Sequence, residues 1–255
     1  VPTEVVLWLM SFLVGTLIGI TGMGGAALMT PFLILIVGVR PVLAVGTDLV
    51  YSAITKIVGA AMHWRQNTVD LWTAFRLAFG SIPGGTIGVL TMNQLRRDGI
   101  DVDQWLRRAI GVLLVTVALI LLVRTLYAGG PKMTPQFLVR NKTLWTIVWG
   151  AIVGFAVGLT SVGSGSLIVP FLIMLYPLAP ARLVGTDVFH AALLVSATAL
   201  LHMQAKHIEW PLLPVLLAGS IPGVLLGSYL APRLPMRTMR VGLSLVLLAT
   251  GVKLF

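Results

Sequence analysis

The chain repeats itself at one fixed offset, and this constrains its fold more than any other feature. "GITGMGGAALMTPFLI" (Gly19–Ile34) aligns with "GLTSVGSGSLIVPFLI" (Gly158–Ile173), an offset of 139 residues. At the same offset "VGTD" from Val45 meets "VGTD" from Val184, and His63 meets His202. "GSIPG" from Gly80 meets "GSIPG" from Gly219, and Gly88 meets Gly227. Several short motifs held at one spacing identify a duplicated unit. A period this long belongs to a two-fold repeat of the kind found in transporters, not to a solenoid.

What surrounds the repeated unit follows from composition. The chain is 57% hydrophobic and 10% charged, with a mean hydropathy of +0.98. Soluble domains carry about a quarter charged residues. A water-soluble core of this length could not absorb so much apolar surface, whereas a bilayer can. The expected fold class is an all-α polytopic membrane protein of two homologous repeats. Each repeat has four to five membrane segments, so the chain has about eight to ten helices.

The apolar segments are Val5–Ile20, Gly25–Gly38, Pro41–Met62, Leu71–Met92 and Leu106–Tyr127 in repeat 1 (residues 1–128). Repeat 2 (144–255) offers Leu144–Leu159, Gly165–Tyr176, Pro180–Leu201, Leu212–Leu230 and Arg240–Leu254. A basic linker, 129–143, joins them. The second segment of each repeat has at most about 14 residues, roughly 21 Å as a helix. It is a thin span, a half-helix or a re-entrant segment. Five crossings per half invert the repeats and four leave them parallel. Inverted repeats are favoured because they give a natural route to alternating access. The first segment lacks a basic flank and a small-residue cleavage site and recurs mid-chain, so it is expected to be a permanent span.

The net charge is +10. The basic residues fall mainly in gaps between apolar runs, as in "RQN", "LRRDGIDVDQWLRR" and "RNK". Such charges orient spans and meet anionic lipid heads. No aromatic-basic module of a nucleic-acid binder is present, so nucleic acid is not an expected partner. The absence of cysteine excludes disulfides and thiolate metal sites. No cluster has metal-ligand spacing, and no cofactor is expected. Ser161 and His190 have no spacing that supports a nucleophile and base, so an enzyme is not expected.

The candidate site residues lie where polar groups interrupt the oily segments. Gly22, Gly24 and Gly25 precede one short segment; Ser161, Gly163, Ser164 and Gly165 precede the other. A helix starting there would direct free N–H groups and a positive dipole end at an oxyanion. Small residues also serve close helix packing. Thr47-Asp48 and Thr186-Asp187 lie about seven residues into their segments, some 10 Å along a helix. An intramembrane acid there is expected to face a partner or a wet cavity. It could carry protons, ligate a cation, or accept N–H bonds from a neighbouring broken helix. His190 shares a helix face with Asp187. Lys56 lies two turns beyond Asp48, has Val195 as its counterpart, and would suit an anion unless it snorkels to the interface. His63 and His202 are interfacial hydrogen-bonding groups or proton relays. Coupling or gating is expected of Asp48, Asp187, His190, His63 and His202. "GSIPG" is expected to serve packing and kinking.

With these motifs assembled, the sequence resembles the sulfite exporter TauE/SafE family, also called the toluene-sulfonate uptake permease family. The resemblance covers nearly the whole chain. It rests on Gly22–Pro31 and Gly163–Pro170, the "VGT" third segments, the following His, and the Gly-rich fourth segments. The family pattern often reads Gly-Thr-Ser where both copies here read Gly-Thr-Asp, as in one subgroup. The resemblance implies a multi-pass inner-membrane carrier exporting small sulfur-containing anions such as sulfite or sulfoacetate. The alternatives are an anion channel, an uptake permease for a related small anion, and a membrane assembly subunit without transport; a homodimer is compatible with all of them.

Overall fold

A computed structural model describes residues 3–21, 26–126, 140–230 and 236–255. Among the described residues there are ten α-helices and no strand. Repeat 1 contains α1 (Thr3–Thr21), α2 (Ala26–Phe32), α3 (Pro41–Arg65), α4 (Leu71–Arg97) and α5 (Val102–Leu126). Repeat 2 contains α6 (Lys142–Thr160), α7 (Ser164–Leu175), α8 (Pro180–Gln204), α9 (Leu212–Leu230) and α10 (Met236–Lys253). The helices α3, α5, α6 and α8 are long and apolar enough to cross a membrane. The basic linker 129–143 falls mostly outside the described residues.

Both short second segments are helices, and each is irregular at a proline or glycine. In α2, Pro31 supplies no backbone donor. A π-helical turn (Leu33–Val37) follows and ends at Gly38, whose φ of 79° requires the left-handed region. Ahead of α7 the chain breaks at Ser161 (φ 62°) and Gly163 (φ 118°). The third segments start on Pro41 and Pro180, a position where a missing N–H costs nothing and φ is already helical. The fourth segment runs on to Arg97 and the fifth starts at Val102, both beyond the apolar runs. Hydrogen bonding continues past the point where hydrophobicity stops.

The glycine motifs fix how the repeats interlock. A Cβ on Gly80, Gly84 or Gly88 of α4 would collide with the backbone of Ile147, Ala151 or Phe155 of α6. A Cβ on Gly219, Gly223 or Gly227 of α9 would collide with the backbone of Trp8, Phe12 or Thr16 of α1. The fourth helix of each repeat therefore lies backbone to backbone, and parallel, along the first helix of the other. Small residues permit this approach, and in a bilayer close packing replaces the hydrophobic drive of water. The third helices pack on each other, as do the fifth. Gly46 near the start of α3 abuts His207, just beyond the end of α8. Gly185 near the start of α8 abuts Thr68, just beyond the end of α3. The two equivalent helices α3 and α8 therefore cross antiparallel. Large apolar side chains such as Trp72, Phe79, Leu225 and Tyr229 are exposed on the outer faces of α4 and α9, where a bilayer would cover them.

Candidate functional site

The threonine of each "VGTD" locks a loop. The Thr47 hydroxyl accepts a 2.9 Å hydrogen bond from the backbone N–H of Glu209, and Thr186 accepts one of 2.9 Å from Asp70. Glu209 and Asp70 are themselves equivalent positions in the loops that follow α8 and α3. Gly46 and Gly185 admit those loops, and the threonines bind them. Asp70 then caps α4 by accepting from the Thr73 N–H at 3.0 Å. Thr47 and Thr186 were expected among substrate contacts; their hydroxyls are engaged at the rims of the α3–α8 crossing instead.

The aspartates point into the crossing and are buried. Asp48 Oδ2 accepts hydrogen bonds of 2.7 Å from Thr30 of α2 and 2.7 Å from Ser161 at the α6–α7 break. Among the described residues, hydroxyls rather than backbone N–H groups supply both bonds. They also account for Ser161, a non-glycine residue in the left-handed region. About two turns further along α3, the Lys56 ammonium is buried rather than snorkelling and donates to Ser164 Oγ at 2.5 Å. Lys56 interacts electrostatically with Asp187 and Asp48, yet forms a direct ion pair with neither. His190 Nε2 shares a 2.7 Å hydrogen bond with Ser81 of α4.

Among the described residues, the polar atoms buried at this centre without a partner include Asp48 Oδ1, Ser52 Oγ, Asp187 Oδ1, His190 Nδ1 and Ser166 Oγ. Buried polar groups are normally satisfied. Asp48, Asp187 and His190 among these exceptions lie in the field of the Lys56 ammonium, and Ser166 lies on the first turn of α7. Ser164, Gly165 and Ser166 form that first turn, and Gly163 is its cap. The expected residues Gly22, Gly24 and Gly25 lie outside the described residues.

The histidines divide. His63 bonds Thr68 Oγ1 at 2.8 Å, at the rim. His202 is buried, 3.1 Å from the Gly158 carbonyl oxygen, and its Nδ1 stands 3.4 Å from Nδ1 of His207. His207 in turn lies 3.5 Å from an Arg96 guanidinium nitrogen. Burial, together with Arg96, holds the His207 imidazole down at about 4. Thr30, Ser81 and His207 were not anticipated, whereas the Ser166 hydroxyl was legible in "GLTSVGSGS". Thr30 sits on an apolar segment with no charge to draw notice, and Ser81 is hidden in a motif that also packs helices. A separate cleft of about 450 Å³, lined by Trp64, Arg65, Phe189 and Leu193 among others, is almost wholly apolar. It lies on the outer face of the α3–α8 crossing rather than at the charged centre.

Helices interlocked between two repeats, around buried acids and one buried ammonium, define a multi-pass membrane protein of the transporter class. Such charge persists in a membrane interior where it faces a partner or a solute path. The chain belongs to the sulfite exporter TauE/SafE family, whose model matches residues 7–254. It is 41% identical to the probable membrane transporter protein YjnA of Bacillus subtilis, over 96% of this chain and 97% of that one. It is 25% identical to the probable membrane transporter protein YunE of the same organism, over 98% and 96%. A probable membrane transporter protein of Xylella fastidiosa is 28% identical over 87% of this chain and 82% of its own length. No solved structure matches the chain. The protein is thus a multi-pass membrane transporter of the cell membrane, a role that is not enzymatic.

Proposed function

We propose that the chain is a secondary carrier that exports sulfite or a small organosulfonate, such as sulfoacetate, by proton-coupled alternating access. The observation that carries the proposal is Lys56: a buried ammonium whose neighbour, Ser164, opens the short helix α7. The first N–H groups of a helix lack intrahelical acceptors and carry its positive dipole end. An oxyanion there would meet the Lys56 charge, those N–H groups and the unpartnered Ser166 hydroxyl. Sulfite and the outward direction come from the family's description, and the organosulfonates come from the family resemblance of the sequence.

The antiparallel crossing of α3 and α8 supports inverted repeats. In that arrangement the two halves exchange roles when the site opens to the opposite side. The expected test is flux in proteoliposomes with a panel of sulfite, sulfoacetate, sulfate and carboxylates. Lys56→Met should lower sulfonate flux and affinity at least tenfold, and unchanged values would remove Lys56 from the site. Unitary conductance in planar bilayers would make the protein a channel instead.

A further inference from the structure

The two aspartates occupy equivalent places yet are held differently, and the difference is written in the sequence. The hydroxyls that bind Asp48 belong to Thr30 and Ser161. Their counterparts at the 139-residue offset are Val169 and Gly22, which carry no side-chain donor. Accordingly, no side-chain hydrogen bond reaches Asp187 among the described residues, and its Oδ1 is buried without a partner. Asp187 is only 5% exposed.

The charged surroundings of Asp187 are few. From α3, which also carries Asp48, Tyr51, His63 and Arg65, Lys56 acts on it directly. On its own helix His190 lies three residues on, bonded to Ser81. The helix α7 has no titratable residue, α6 brings only Lys142 at its start, and α4 brings Arg76, Arg96 and Arg97. Of all these, Lys56 alone exerts a charge effect on Asp187.

We infer that Asp187 is the proton-exchanging acid of the transport cycle, and that Asp48 is a fixed tie holding α3 to α2 and to the α6–α7 break. The inference deepens the carrier proposed above and rests on it. A carboxylate solvated by two hydroxyls keeps its charge in a dry site, because charge-assisted hydrogen bonds replace water. A carboxylate with no donor depends on a counter-charge, and the nearby one is Lys56. When an oxyanion draws on the same ammonium, Asp187 loses that compensation and a proton binds it, turning the carboxylate into the neutral acid. Departure of the anion restores the Lys56 field, and the proton leaves with it. One anion and one proton therefore cross together. Neither step requires any reactant beyond water-borne protons.

The test is infrared difference spectroscopy against pH on the full chain in lipid nanodiscs, with no substrate added. Wild type should show a carboxylic-acid carbonyl band that titrates. The band should be lost in Asp187→Asn and kept in Asp48→Asn. The reverse pattern, or no titrating band in wild type, overturns the assignment. Thr30→Val combined with Ser161→Gly gives Asp48 the side chains that Val169 and Gly22 hold in the other repeat, so a second titrating carboxyl should appear; its absence also overturns the account. Suppression of the band by sodium but not potassium would assign the site to a metal cation and refute proton exchange. Failure of every anion to move in proteoliposomes would end the proposed function while leaving this spectroscopic result readable by itself.

Discussion

Gly154→Ala should destabilise the protein even though alanine is the better helix former. In an exposed helix interior the change from glycine to alanine stabilises by about 0.5–1 kcal/mol. At Gly154 the added Cβ would stand 2.6 Å from the Ser81 Cα and 2.7 Å from its carbonyl carbon, with the carbonyl oxygen closer still. Ordinary carbon contacts lie at about 3.5–4.0 Å. The obstacle is backbone, which cannot rotate aside, so α4 and α6 must separate by roughly 1 Å. Such a gap forfeits a quarter to a half of each contact's attraction, and overpacking of this kind costs about 1–3 kcal/mol. The net loss should be about 1–2 kcal/mol, or roughly 2–8 °C in melting temperature for a chain of this size. Because Ser81 also holds His190, flux should fall in the same variant. Gly242→Ala is the control, since a Cβ there meets nothing within 4 Å. Thermal unfolding in detergent measures both. A Gly154→Ala protein as stable as wild type would refute backbone contact as the basis of the interface.

Thr47→Val and Thr186→Val should each remove one neutral hydrogen bond from a loop, costing about 1 kcal/mol, with equal effects by symmetry; chemical denaturation of both measures this. Thr30→Val should cost more, about 1.5–3 kcal/mol, because its partner is charged; a loss below about 0.5 kcal/mol in the same assay would contradict the Asp48 tie. The Arg40–Asp103 pair, 2.8 Å apart with the arginine side chain 68% exposed, should contribute under about 1 kcal/mol and fade with salt, as a double-mutant cycle at two ionic strengths would show. His207, held near 4 against an ordinary 6.5, is neutral in the fold. Its contribution is complete above about pH 6.5 and is lost progressively as pH falls towards 4. His207→Gln should flatten that part of the melting-temperature profile relative to wild type.

The class and most of the segments were legible in the sequence by itself, as was a set of motifs recurring at one offset. Sparse charge and long apolar runs admit only a bilayer, and a fixed offset can be counted without coordinates. The sequence also drew notice to Asp48, Asp187, His190 and Lys56, because a charge inside an apolar helix is conspicuous wherever the helix lies, but it left Lys56 open between the interior and the interface, and burial in the fold decides that. It could not say what each charge meets. The bonds from Thr30 and Ser161 to Asp48 and from Lys56 to Ser164 join residues 18, 113 and 108 positions apart. No local pattern encodes contacts at such separations. The glycines of "GSIPG" were legible as packing elements, but only the fold shows that each set receives the first helix of the opposite repeat. The threonines of "VGTD" looked like site residues because they adjoin the aspartate. Successive helix positions point about 100° apart, so a residue's neighbour in sequence faces elsewhere. Thr47 and Thr186 fasten loops, while the aspartates beside them turn inward.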